Sequence, residues 1–266
     1  MFGLQLGVTA GSVRIMSNAV PIIAGAEPVS HAGSSLGALV LHGFTGNPGS
    51  MRIIADAFVA EGWSVEMPRL PGHGTTIEDM METSFDDWSA EAERAYQKLA
   101  DSCERVVVIG LSMGGSLTLW LGTRHAEIAG LVAINPAAVI GPDMATMVQD
   151  MLAAGEKVMP GIGSDIAKEG VVETAYADTP LLQLKSLMEA SQRIEPQLPR
   201  ITSPLLLLTS ENDHVVPPTD SDHVASVVSG PVEREIYPLS YHVITMDHEA
   251  EAVVARTLEF AKARTS

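Results

Sequence analysis

At 266 residues, 46% of them hydrophobic and 18% charged, the chain has a globular composition, with room for one large domain or a core carrying an insertion. Its formal net charge of −17 at pH 7 argues against a nucleic-acid partner, which needs clustered Lys and Arg, and against docking on anionic lipid. Cys103 is its one cysteine, so no intrachain disulfide forms, and with neither CxxC nor HExxH spacing we expect no metal and no organic cofactor.

Residues 1–15, MFGLQLGVTAGSVRI, lack the basic start and long apolar core of a signal peptide and read as an N-terminal extension, with Met16 as an alternative start. Short apolar runs then alternate with amphipathic segments. GALVL (37–41), WSVEM (63–67), RVVVIG (105–110), GLVAIN (130–135), PLLLLT (204–209) and REIYPL (234–239) predict strands. Continuous β-branched and leucine character suits strands buried on both faces. SMRIIADAFVAEG (50–62), FDDWSAEAERAYQKLA (85–100), SLTLWLGTRH (116–125) and DHEAEAVVARTLEFAKA (247–263) predict helices. Asp86 and Asp87 suit a first helical turn, and Val253, Val254, Phe260 and Ala261 fall on one face, with Leu258 at its edge. This alternation predicts an α/β fold with a mainly parallel central sheet flanked by helices.

One interval is too long for a single crossover. Within it MATMVQDMLAAGEKVM (144–159) and ETAYADTPLLQLKSLMEASQRI (173–194) predict helices, linked through IGSDIAKEG (162–170). We read residues 136–199 as an inserted helical cap, or lid, and residues 16–135 with 200–266 as the core. Two ordinary crossover helices with a long loop are the alternative. No apolar run is long enough to span a bilayer, so we expect a cytoplasmic protein without stable membrane insertion. Monomer and homodimer both stay open.

The pattern Gly-x-Ser-x-Gly occurs twice, as GSSLG (33–37) and GLSMG (110–114). The first precedes a strand and has no helix after it, so Ser35 belongs in a turn. The second follows RVVVI and precedes a helix, the strand–turn–helix setting that exposes a nucleophilic serine. Gly110 and Gly114 let the backbone pass closely there. Ser112 is therefore the expected nucleophile. It needs a base, and in this setting the order along the chain is serine, acid, histidine. PLLLLTSENDHVVPP (204–218) offers Glu211 and Asp213, of which Asp213, leading into Pro217 and Pro218, is preferred. Four histidines follow: His214 adjoins the acid, His223 and His248 fall in or beside predicted helices, and His242 lies in the loop SYHVIT, free to reach Ser112. An oxyanion hole would take the backbone N–H of Met113, after the nucleophile, and that of Phe44 in HGFTGNPGS (42–50).

LVLHGFTGNPGSMR, PRLPGHGTTIEDM, GLSMGGSLTL, ENDHVVPP and SYHVITMDHE together resemble the α/β-hydrolase family, in particular bacterial monoacylglycerol lipases and small thermostable carboxylesterases. The resemblance runs from about Pro28 to the C-terminus. It implies the α/β-hydrolase fold, a triad of Ser112, Asp213 and His242, and main-chain oxyanion donors at Phe44 and Met113. IGSDIAKEGVVETAY (162–176) is similar to the family's cap, although Lys168-Glu169-Gly170 departs from it. There the resemblance implies that Ile162 lines the alcohol end of the pocket and Glu173 orients glycerol hydroxyls, with Asn135 near the same place. The function implied is hydrolysis of a small-molecule acyl ester, foremost a monoacylglycerol. A general carboxylesterase, an acyl thioesterase or a peptidase is an alternative on the same scaffold, and a non-catalytic ligand-binding homologue is a rival of another class. Met144, Met147, Met151 and Met159 could line an acyl tunnel, but their helical spacing equally suits a packed face.

Overall fold

A computed structural model describes residues 20–139 and 141–266, so the extension at 1–15 and Met16 lie outside the described residues. The strands are β1 (Val29–His31), β2 (Leu36–Leu41), β3 (Ser64–Met67), β4 (Arg105–Leu111), β5 (Gly130–Ile134), β6 (Val158–Pro160), β7 (Asp178–Pro180), β8 (Leu205–Ser210) and β9 (Val232–Tyr237). The helices are α1 (Arg52–Ala60), α2 (Ile77–Met81), α3 (Phe85–Ala100), α4 (Met113–Gly122), α5 (Pro142–Ala153), α6 (Leu181–Ile194), α7 (Thr219–Val227) and α8 (Ala250–Thr265). Seven strands form one sheet in the order β1-β3-β2-β4-β5-β8-β9, parallel throughout except for β1 against β3.

The central strands carry apolar side chains on both faces because helices cover both. On one face Leu39, Leu41, Val108, Leu131, Ala133, Leu205 and Leu207 pack with Trp88 and Tyr96 of α3, Leu117 and Leu121 of α4, and Leu187 and Ile194 of α6. On the other, Ala38, Val40, Val107, Ile109, Val132, Ile134, Leu206 and Leu208 pack with Ile54 and Phe58 of α1 and Val253, Phe260 and Ala261 of α8. Successive residues of a strand point to opposite faces, so burial of both faces removes any polar alternation from the sequence.

Departures from the sequence reading concentrate where elements are short. β1 is three residues, none of them buried, and α2 has five residues, started by the Thr76 hydroxyl accepting from Asp79 N–H at 3.2 Å. Between β5 and β8 the helix expected over 144–159 stops at Ala153, before Gly155, whose φ of 89° leaves the helical region. The segment 173–180 is not helical. Its end, β7, pairs antiparallel with β6 in a two-stranded ribbon, and helix α6 begins only after Pro180. α5 rests on α6 through Val148, Leu181 and Met188. Residues 161–177 run back over the carboxyl ends of the sheet strands: Tyr176 N–H donates to Thr45 O at 3.1 Å, and Asp165 O accepts from Val243 N–H at 3.1 Å. Among the described residues no helix is long and apolar enough to cross a membrane.

Candidate active site

Ser112 sits between β4 and α4 with φ 56° and ψ −117°, a conformation a residue with a Cβ adopts only under constraint. The constraint comes from both sides. Its N–H donates to Ile134 O at 2.9 Å, and its carbonyl accepts from Ser116 N–H at 3.0 Å. A Cβ at Gly110 would collide with the carbonyl of Gly114, and one at Gly114 with the carbonyl of Leu41, so the turn closes only with glycine at both positions. Ser112 is 9% exposed at the carboxyl end of β4. Ser35, in the other Gly-x-Ser-x-Gly match, is exposed in the bend before β2.

Two loops at the same sheet edge bring an acid to a histidine. Asp213, just beyond β8, accepts from His242 Nδ1 at 2.7 Å, and the two side chains are only 1% and 8% exposed. The other carboxylate oxygen of Asp213 accepts from Val215 and Val216 N–H, both at 2.8 Å, so a local turn fixes the acid. With Nδ1 donating to a carboxylate, the neutral imidazole keeps its Nε2 lone pair free. Glu211 is exposed, whereas His214 turns outward, its Nδ1 2.8 Å from Asp165 Oδ1 and its ring edge-on to Tyr241.

Asn135, at the end of β5 with φ 41°, links these parts. Its amide nitrogen donates to His242 O at 2.8 Å and Ser210 Oγ at 3.0 Å, and its Oδ1 accepts from Ser210 N–H at 2.8 Å. The sequence placed Asn135 beside the substrate's alcohol. Both of its amide hydrogens are used inside the protein, and the side chain braces the histidine loop next to the carbonyl that holds Ser112 N–H.

The loop after β2 supplies main-chain donors. Among the described residues neither Phe44 N–H nor Met113 N–H donates to a protein acceptor, and Met113 is the first residue of α4, where N–H groups have no carbonyl one turn earlier. Gly43 lies against the nucleophile: a Cβ there would be 3.5 Å from Ser112 Cβ. His42, directly after β2, orients this loop. Its Nε2 accepts from Leu70 N–H at 3.1 Å, which puts the ring proton on Nδ1, 2.9 Å from Gly43 O. In a planar trans peptide the N–H points opposite to the C=O, so holding Gly43 O aims Phe44 N–H the other way. Burial first, then neighbouring His73, holds His42 well below the ordinary histidine range and therefore neutral. The signal in the sequence was a His immediately after a buried strand and before two glycine-rich steps, HGFTG.

Glu173 lies beside the loop after β2 and not in a helix. Its Oε1 would meet a Cβ at Gly46 at 2.7 Å, its N–H donates to Ser164 Oγ at 2.7 Å, and the chain near it bonds along the loop, with Asn47 Nδ2 donating to Thr174 O. Burial pushes the Glu173 carboxyl up from its usual range, while hydrogen bonding with Ser50 and attraction to His242 offset this in part. Ile162 is 63% exposed at the outer rim of the same segment. Among the described residues no group of three or more His, Cys, Asp or Glu could hold a metal ion. A separate cleft of about 390 Å³ beside β1 has Glu66 and Lys98 paired across it at 2.6 Å and contains none of these groups. The site thus has the parts that attack on an acyl carbon needs: a hydroxyl at a strained turn, a carboxylate-backed imidazole, and two main-chain N–H groups.

Comparison with known proteins agrees with that chemistry. The family described as serine aminopeptidase, S33, matches residues 37–249. Over 249 residues the chain is 41% identical to a thermostable monoacylglycerol lipase of Bacillus sp. (strain H-257), covering 92% of this chain and 98% of that protein. It is 28% identical over 242 residues to a carboxylesterase of Bacillus subtilis (strain 168), covering 88% and 95%. A solved structure from work on LipS and LipT, two metagenome-derived lipolytic enzymes, superposes with a TM-score of 0.87 at 39% identity, over 91% of this chain and 100% of that one.

Proposed function

The chain belongs to the α/β-hydrolase family matched as serine aminopeptidase, S33, within its monoacylglycerol lipase group, and from that premise we propose that it cleaves monoacylglycerols to fatty acid and glycerol. It is a serine hydrolase acting on carboxylic esters. His242 takes the proton as Ser112 Oγ attacks the ester carbonyl, Asp213 holds the imidazole and stabilises its protonated form, and Phe44 and Met113 N–H bind the oxyanion. Collapse of the tetrahedral intermediate breaks the ester bond, with His242 protonating the departing glycerol oxygen. A water, deprotonated by His242, then releases the fatty acid from Ser112 and regenerates the hydroxyl. The contact that supports these roles best is Asp213 with His242 at 2.7 Å, both buried, beside the strained turn at Ser112.

Residues 136–199 act as a cap in this reading, although Leu187, Ala190 and Ile194 of α6 also complete the core beside α3 and α4. Glu173 faces the departing alcohol: a carboxyl with a raised proton affinity beside Gly46 can both accept from and donate to a glycerol hydroxyl. Ile162 lines the outer, alcohol end of the entrance, and Asn135 serves through His242 and not by touching glycerol. A single cysteine suits a reducing cytoplasm, where we place the enzyme.

Rates on mono-, di- and triacylglycerol, p-nitrophenyl esters and acyl-CoA test the substrate class. Preference for the monoacylglycerol, lost in Glu173→Ala while p-nitrophenyl ester hydrolysis survives, is the expected result. A preference unchanged in Glu173→Ala would reject the role given to that carboxyl, and a preference for acyl-CoA would reject the lipase reading in favour of a thioesterase.

A further inference from the structure

His242 sits on a stretch of chain, residues 238–243, that belongs to no strand or helix. Buried main-chain N–H groups in such a stretch need partners from elsewhere. Here side chains and cap backbone supply them. Tyr241 N–H donates to Asp247 Oδ2 at 2.9 Å, His242 N–H donates to Asp165 Oδ2 at 3.0 Å, and Val243 N–H donates to the carbonyl of the same Asp165 at 3.1 Å. The Asp165 carboxylate also accepts from His214 N–H at 3.2 Å and lies 2.8 Å from His214 Nδ1, and its side chain is nearly buried. His214 follows Asp213 directly. One carboxylate from the inserted segment therefore holds both the loop bearing the acid and the loop bearing the base.

We infer that Asp165 is a positioning residue for the Asp213–His242 pair, fixing the main chain of both loops from the cap side. The inference rests on the triad reading of the proposed function. Asp247 strengthens the same bridge: it accepts from Ala167 and Lys168 N–H at 2.7 and 2.9 Å on the cap and from Tyr241 on the histidine loop. The inserted segment is thus part of the frame that sets the imidazole, and not only a cover over it. A base that must meet a serine hydroxyl within hydrogen-bond reach loses rate steeply when its loop drifts.

The test compares Asp165→Ala, Asp165→Asn and His214→Ala, using the second-order rate of Ser112 labelling by a small fluorophosphonate and kcat and KM on p-nitrophenyl butyrate. Neither probe is long enough to need the glycerol end of the cap. Asp165→Ala should slow labelling and kcat roughly 10- to 100-fold with KM little changed. Asp165→Asn should recover most of that rate, because its amide oxygen can accept both main-chain N–H groups while its NH2 faces His214. His214→Ala should stay within about threefold of the parent rate, since the main-chain bonds remain. Should Asp165→Ala not fold, Asp165→Ser, too short to span both loops, gives the same comparison. Labelling at the parent rate in the Ala or Ser variant, an Asn variant as slow as Ala, or a rise in KM alone would overturn the inference. A parent chain that takes no label would remove the triad reading and this inference with it, whereas a labelled parent with an unaffected Ala variant removes this inference alone.

Discussion

Acidification should destabilise this fold through His73, a residue outside the proposed chemistry. His73 is 0% exposed, wedged edge-on between His42, Phe44 and Trp88 at ring separations of 5.1, 6.4 and 5.2 Å. Burial above all, with repulsion from Arg69, lowers it from 6.5 to about 4, although hydrogen bonds to the Pro71 and Leu70 backbone work the other way. The folded chain therefore resists a proton that the unfolded chain accepts. Stability from neutral His73 is fully present above the unfolded value and is lost as pH falls from 6.5 toward 4, below which the loss levels off. Each pH unit of that window counts about 1.4 kcal/mol, so the interval yields about 3 kcal/mol, a large share of an ordinary domain's stability. Shedding some of the −17 charge acts in the opposite direction, and other groups titrate as well, so the measurement must be a difference. Urea unfolding followed by circular dichroism, from about pH 7 to about pH 4, on the parent chain and on His73→Phe isolates it. The parent should lose about 3 kcal/mol more than the variant across that span, whatever constant offset the substitution brings. Parallel curves would refute the reasoning.

Two further outcomes follow from the geometry. Gly114→Ala drives a Cβ into the Leu41 carbonyl, where backbone and not a flexible side chain must give way, and should cost at least about 3 kcal/mol or prevent folding, as read by thermal melting. A variant that melts with the parent would show that the turn at Ser112 is looser than described. Asn135→Ala releases the His242 carbonyl and Ser210. It should lower kcat about 10- to 100-fold with KM nearly constant, and a change confined to KM for monoacylglycerol would return Asn135 to a substrate-contact role.

The long elements were legible in the sequence because their signals are local and redundant. The strand runs at 37–41, 105–110 and 204–209 and the helix at 85–100 lie where their apolar patterns put them. The short ones were not. β1 and the β6–β7 ribbon are three-residue pairings whose partners, β3 for one and each other for the rest, lie far along the chain. The sharp turn at Ser112 was readable because a strand, a turn and a helix meet within a few residues. Asp165 and Asp247 were not, since each acts on main-chain groups brought near by folding, and nothing in their own neighbourhood distinguishes them from ordinary polar residues; His42 had only the local cue of HGFTG after a buried strand, and its bond to Leu70 N–H comes from far along the chain. Asn135 was named only through the family resemblance, and its bonds to Ser210 and His242 join positions 75 and 107 residues away, which no local pattern records.

A fluorophosphonate probe followed by intact-mass and peptide mass spectrometry puts the account to its shortest test. One adduct per chain, mapped to the peptide containing Ser112, absent in Ser112→Ala and strongly slowed in His242→Ala, is the result predicted. Full labelling at another residue, or an adduct that persists unchanged in Ser112→Ala, would contradict it.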